Sequence, residues 1–109
     1  MRNSFKNIAL ALALSWSGIA SAALVQSNGQ ITHLRIEGTY GFIAVPDPMA
    51  PGASCGYRVW IDMSTPLGRS VWATALLAYN TKQNVIIRAF EESARVFGAC
   101  GLYDIYMQQ

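Results

Sequence analysis

The chain is predicted to fold as a mainly β domain with one helix. Three observations carry that expectation. Five short runs, at residues 31–37, 40–45, 57–63, 84–90 and 102–107, either alternate apolar with polar residues or are rich in β-branched ones. A single run beginning at Thr65-Pro66 instead repeats its apolar residues at helical spacing. The regular alternation of strand and helix that builds a parallel sheet is missing.

Residues 31–37 (ITHLRIE) put Thr32, Leu34 and Ile36 on one face and Ile31, His33, Arg35 and Glu37 on the other. The four residues before them, Ser27-Asn28-Gly29-Gln30, have turn composition. Gly38 interrupts the pattern and residues 40–45 (YGFIAV) resume it, close enough for a hairpin. Residues 46–52 (PDPMAPG) carry three prolines, which stop strand pairing and restrict the chain. They form either a plain connector or a binding loop. In residues 57–63 (YRVWIDM), Tyr57, Val59 and Ile61 alternate with Arg58, Trp60 and Asp62. With the first set buried, Trp60 points outward. It is then covered by a loop, stacked on a ligand, or placed at a subunit contact.

The helix starts at a Thr65 cap with Pro66 in the first turn, where a missing N–H costs nothing. Gly68 occupies the place where a capping-box Glu or Gln would reach back. At about 100° per residue, Leu67, Val71, Trp72, Ala75, Leu76, Ala78 and Tyr79 share one broad arc. The opposite arc is polar except for Ala73 and Leu77. Two readings follow: the helix is sunk deeply into its own core, or its second apolar face meets another subunit. On the second reading the contact residues are Leu77, Ala73 and Trp60. Lys82 lies near the helix C-terminus, where a cation is favourable. Residues 84–90 (NVIIRAF) and 102–107 (LYDIYM) supply the last two strands. Three strands, a helix and two strands is the order of an OB-fold, a five-stranded partly open barrel with its helix between the third and fourth strands.

The start of the chain reads as an address. Arg2 and Lys6 precede an apolar run at residues 8–16, and Ala20-Ser21-Ala22 is a small-residue cleavage site. Residues 1–22 are therefore expected to be a signal peptide, and residues 23–109 a single exported domain. The destination is the bacterial periplasm or exterior. No later apolar run is long enough to span a membrane. The whole sequence has 8 basic and 6 acidic residues. Without Arg2 and Lys6 the two signs balance, which argues against a nucleic-acid partner.

Cys55 and Cys100 are the only cysteines. In an exported chain they are expected to form a disulfide, since two cysteines and one distant histidine make a poor zinc set. No metal, cofactor or catalytic residue is predicted. His33 is expected on the solvent side of its strand, and the adjacent Glu91 and Glu92 diverge on any regular structure. The sequence carries no Gly-rich phosphate loop and no local nucleophile motif.

One stretch resembles a known family. Val71-Trp72-Ala73, Leu76, Tyr79-Asn80-Thr81-Lys82-Gln83 and Val85-Ile86-Ile87-Arg88 resemble the B subunits of subtilase-type and pertussis-like bacterial AB5 toxins. They also resemble a wider group of small exported single-disulfide bacterial proteins of unassigned role. The resemblance runs over residues 31–107 and is carried chiefly by residues 65–88 and the two cysteines. It implies an OB-fold, a ring-shaped homopentamer with helices around a pore, and glycan recognition on the outer rim. Most of the stretch before the first strand, which supplies many sugar contacts in those relatives, is lacking here, so no sugar-binding residue is assigned. Two functions are expected: an exported, non-enzymatic binding module that oligomerises and takes a glycan or a protein, or a monomeric accessory protein of the envelope.

Overall fold

The structure, a computed structural model, describes residues 24–52 and 54–108. The expected signal peptide, residues 1–22, lies outside the described residues. Six strands and one helix are seen among them: β1 (Leu24–Gln30), β2 (His33–Glu37), β3 (Tyr40–Ala44), β4 (Arg58–Asp62), α1 (Pro66–Thr81), β5 (Asn84–Phe90) and β6 (Cys100–Met107). The strands form one sheet in the order β1-β5-β6-β4-β3-β2. Neighbours pair antiparallel except β4 and β6, which run parallel through Val59↔Cys100 and Trp60↔Gly101.

Strands β1 and β2 stand at opposite ends of that order, yet only Ile31 and Thr32 separate them. The three chain steps from Gln30 to His33 reach about 11 Å at most. The sheet therefore curls until its ends approach, giving a half-barrel. Thr32 N–H bonds to the Ala44 carbonyl at 2.9 Å, which ties this corner to β3.

The strand count corrects the expectation of five, and the helix accordingly follows the fourth strand and not the third. The added strand is β1, part of which has turn composition. It lacks an apolar stripe because its inward positions are Val25, Ser27 and Gly29, which face Ala89, Ile87 and Val85 on β5. Ser27 is buried, and its hydroxyl donates to the Asp47 carbonyl at 2.9 Å, so the polar group carries no desolvation debt. Gly29 has φ 138°, a conformation that suits glycine, which explains a turn-forming residue inside a strand.

The interior follows from register, since opposed residues share a face. Leu34, Ile43 and Val59 form one inward row; Ile87 and Ile105, then Val85 and Met107, form others. Val45, Met49 and the disulfide sulfurs fill one end. Trp72 of α1 enters at another point, where a Cβ on Gly41 would stand 2.9 Å from its ring. Three alternations fail in part, the first also at Ile31, expected on the outer face and buried instead. Ile36 and Tyr57, expected inside, are exposed because they lie at strand margins beyond the core. In β6 a bulge sets Leu102 opposite Ala89 and Asp104 opposite Arg88, leaving Tyr103 as the extra residue. Leu102 and Ile105 consequently both pack on the core, while Tyr103 and Tyr106 look outward.

The proline-rich segment is anchored to the sheet at its middle. Met49 is fully buried, Ala50 exchanges both backbone hydrogen bonds with Gln26, and the Ala50-Pro51 bond is cis.

Candidate functional site

Helix α1 begins as expected. Thr65 is extended, and its hydroxyl accepts from Gly68 N–H at 2.9 Å. It ends at Lys82, which adopts the left-handed conformation with φ 55°. Lys82 N–H is aimed at the carbonyls of Ala78 and Tyr79. The helix is not sunk deeply. Its buried line is Gly68, Ala75 and Ala78, flanked by half-buried Val71 and Trp72. Small residues bring the helix close to the barrel along a narrow stripe, so the broad arc expected to be buried is cut on both sides. Leu67, Leu76 and Tyr79, expected inside, are exposed. Leu67 is 73% and Leu77 52% exposed, and Ala73 lies on the same open side.

A cavity of about 390 Å³ runs alongside this helix. Its walls include Trp60, Asp62, Val71, Leu102, Tyr103 and Asp104. It exists because β4 and β6 pair for only two residue pairs and then separate, and α1 crosses the gap. Asp62 accepts two hydrogen bonds from Ser64, one from the hydroxyl at 2.6 Å and one from the backbone at 2.9 Å. These bonds, the hydroxyl one first, hold its carboxyl below the ordinary range, while slight desolvation opposes them. Asp104 takes Arg88 in a two-pronged ion pair, with Nε at 2.9 Å and Nη2 at 2.5 Å. The guanidinium also lies 5.3 Å from the Tyr103 ring centre and 5.8 Å from that of Tyr106. Its protonated form is favoured still further by Asp104, first through the hydrogen bond and then through charge.

Trp60 is held within its own chain. Its indole N–H donates to the Ala94 carbonyl at 2.9 Å, and its ring meets Tyr40 edge-on at 5.6 Å. Of the three expected subunit-contact residues, Leu77 and Ala73 therefore lie together on the open helix side. Trp60 lies elsewhere, under the segment between β5 and β6 and against the cavity. Sequence reasoning missed the pairing of Arg88 with Asp104, because the bulge shifts the parity of β6 by one residue.

Cys55 and Cys100 are disulfide-bonded and buried, with Cα atoms 5.2 Å apart. The bridge joins the turn before β4 to the first residue of β6, beside the short parallel pairing. His33 is exposed, with Nδ1 3.3 Å from the Thr32 hydroxyl. Glu91 accepts from the Ser54 hydroxyl at 2.8 Å. Among the described residues, no helix is long and apolar enough to cross a membrane, and no three His, Cys, Asp or Glu side chains gather as metal ligands.

No family model, curated protein or solved structure matches the chain.

Proposed function

We propose that this chain is an exported, non-enzymatic binding module of OB-like architecture that self-associates through the outer side of α1. The observation that carries the reading is the exposure of Ala73, Leu76 and Leu77, which adjoin on the open side of α1. Apolar side chains exposed side by side on a small domain fit a contact site. A second copy is the occupant that fits the toxin B-subunit resemblance, in which helices of neighbouring subunits meet around a pore. The OB-like reading is supported by the parallel β4–β6 pairing. It is also supported by the two-residue joint between β1 and β2, which acts as one long strand bent across both ends of the sheet.

The same module takes a glycan or a protein partner. The cavity beside α1 offers an aromatic surface at Trp60 and Tyr103 next to the Asp62 carboxylate, whose Ser64 bonds use only one oxygen. That combination suits a ligand with an apolar face and hydroxyl donors.

Light scattering on the size-fractionated, oxidised protein tests self-association. The expected result is a defined oligomer that Leu77→Glu converts to a folded monomer. A wild-type monomer that gives no glycan-array signal would leave the accessory-protein reading in its place.

A further inference from the structure

The sheet face turned away from the core carries a second hollow. Register sets three rows of side chains across β2, β3 and β4: His33–Ala44–Arg58, Arg35–Phe42–Trp60 and Glu37–Tyr40–Asp62. The middle residue is aromatic in two rows. In the first it is Ala44, and its methyl group leaves open the space between the imidazole and the guanidinium. The hollow measures about 390 Å³ and is lined by His33, Leu34, Arg35, Phe42, Ala44 and Arg58. Its size falls within the range of small-molecule sites, roughly 300–1,000 Å³.

Its chemistry has one sign. Three of the six lining residues are basic and none is acidic. Arg35 is engaged by Glu37, the acidic residue of the third row. Arg58 has no ion pair among the described residues. It is nevertheless held in place: Nη2 donates to the Phe97 carbonyl at 2.9 Å, and the guanidinium lies 5.2 Å from the centre of the Phe42 ring. That bond uses one of its five N–H donors. Phe42 is itself buried, although it faces away from the core, because Phe97 packs on it at 5.8 Å between ring centres. A fixed guanidinium at the edge of an apolar floor is arranged for a planar anion with a hydrocarbon body.

We propose that this hollow binds a small organic carboxylate. The carboxylate pairs with the free edge of Arg58, His33 adds a second polar contact across Ala44, and the apolar part lies against Ala44 and Phe42. This site is separate from the outer side of α1, so it stands or falls independently of self-association.

The test is a heteronuclear NMR titration of the disulfide-bonded protein with benzoate, alongside benzamidine and inorganic phosphate. Benzoate is expected to give saturable shifts at His33, Ala44 and Arg58 at millimolar concentration, with benzamidine silent and phosphate weaker. Arg58→Gln is expected to weaken benzoate binding roughly tenfold or more, the scale of a lost charge-assisted hydrogen bond. Ala44→Leu fills the hollow while keeping every charge, and is expected to abolish the shifts in a protein with an unchanged spectrum elsewhere. Absent or unsaturable shifts, equal response to benzamidine or phosphate, or benzoate binding that survives Ala44→Leu would each overturn the assignment.

Discussion

A Cβ placed on Gly68 would stand 1.9 Å from the carbonyl oxygen of Asp62 and 2.8 Å from its carbonyl carbon. The first turn of α1 is thus pressed against the last residue of β4. The Thr65 hydroxyl donates to that same carbonyl at 3.0 Å while accepting from Gly68 N–H. The strand-to-helix corner, which sets the direction of α1 and one wall of the cavity, closes around a missing side chain. Helix propensity favours Ala over Gly by about 1 kcal/mol, so an ordinary helix would gain from Gly68→Ala. Here the clash is with backbone and must dominate. Overpacking of this kind costs about 1–3 kcal/mol or more. Gly68→Ala is expected to lower Tm by roughly 10 °C, measured by calorimetry. A rise in Tm would mean that the corner is looser than described.

The same glycine shows how far sequence reasoning reached. It located the start of α1 from Thr65 and Pro66 and saw Gly68 only as a gap in a capping box, because the contact partner lies on the preceding strand. The hairpin of β2 and β3, the strand β5 and the cysteine pair were legible from alternation, β-branching and count. Strand β1 was hidden because two of its three inward positions are Ser27 and Gly29, whose fit depends on Asp47 and on backbone freedom. The cavity wall was hidden by the bulge at Tyr103, which no pattern of period two reveals. Burial of Phe42 on the outer face was invisible too, since its cover, Phe97, comes from a segment 55 residues later in the sequence.

Lys82 gives a prediction of opposite sign. A residue with a Cβ pays about 1–2 kcal/mol for the left-handed conformation that closes this helix. Lys82→Gly removes that cost but adds freedom to the unfolded chain, which offsets part of the gain. A net stabilisation of up to about 1 kcal/mol is expected, or a Tm rise of roughly 4–8 °C in a domain of this size. Denaturant titration should show a higher midpoint with an unchanged slope.

Asp62 links the corner to pH. Its carboxyl is held below the ordinary range, chiefly by the Ser64 hydroxyl. A folded value below the unfolded one, about 3.9, means that the stabilisation is present above that pH and fades as pH falls through the folded value. The group is exposed, so the effect on global stability is small. Ser64→Ala removes the hydroxyl and leaves the backbone donor. The Asp62 titration, followed by its carboxyl carbon shift, is expected to move upward towards the ordinary value without reaching it. An unmoved titration would mean that the hydroxyl bond is not formed in solution.

The disulfide bears on the weakest joint of the sheet. Strands β4 and β6 share two residue pairs, and the first of them includes Cys100 itself. All other neighbouring strands pair over at least five. Cys55 and Cys100 are 45 residues apart, and the loop-entropy account gives about 4 kcal/mol for a closure of that length. A domain this small draws much of its stability from such a bridge. Cys55→Ser with Cys100→Ser also leaves two hydroxyls in a buried place. The double variant is expected to lose roughly 15 °C or more in Tm. The loss should also be ordered: under mild reduction, amide exchange is expected to quicken first at Val59, Trp60 and Gly101, before the β5–β6 ladder responds. Equal melting of the reduced and oxidised protein would show that the two sulfurs are not joined. Uniform exchange across both ladders would show that the parallel joint does not depend on them.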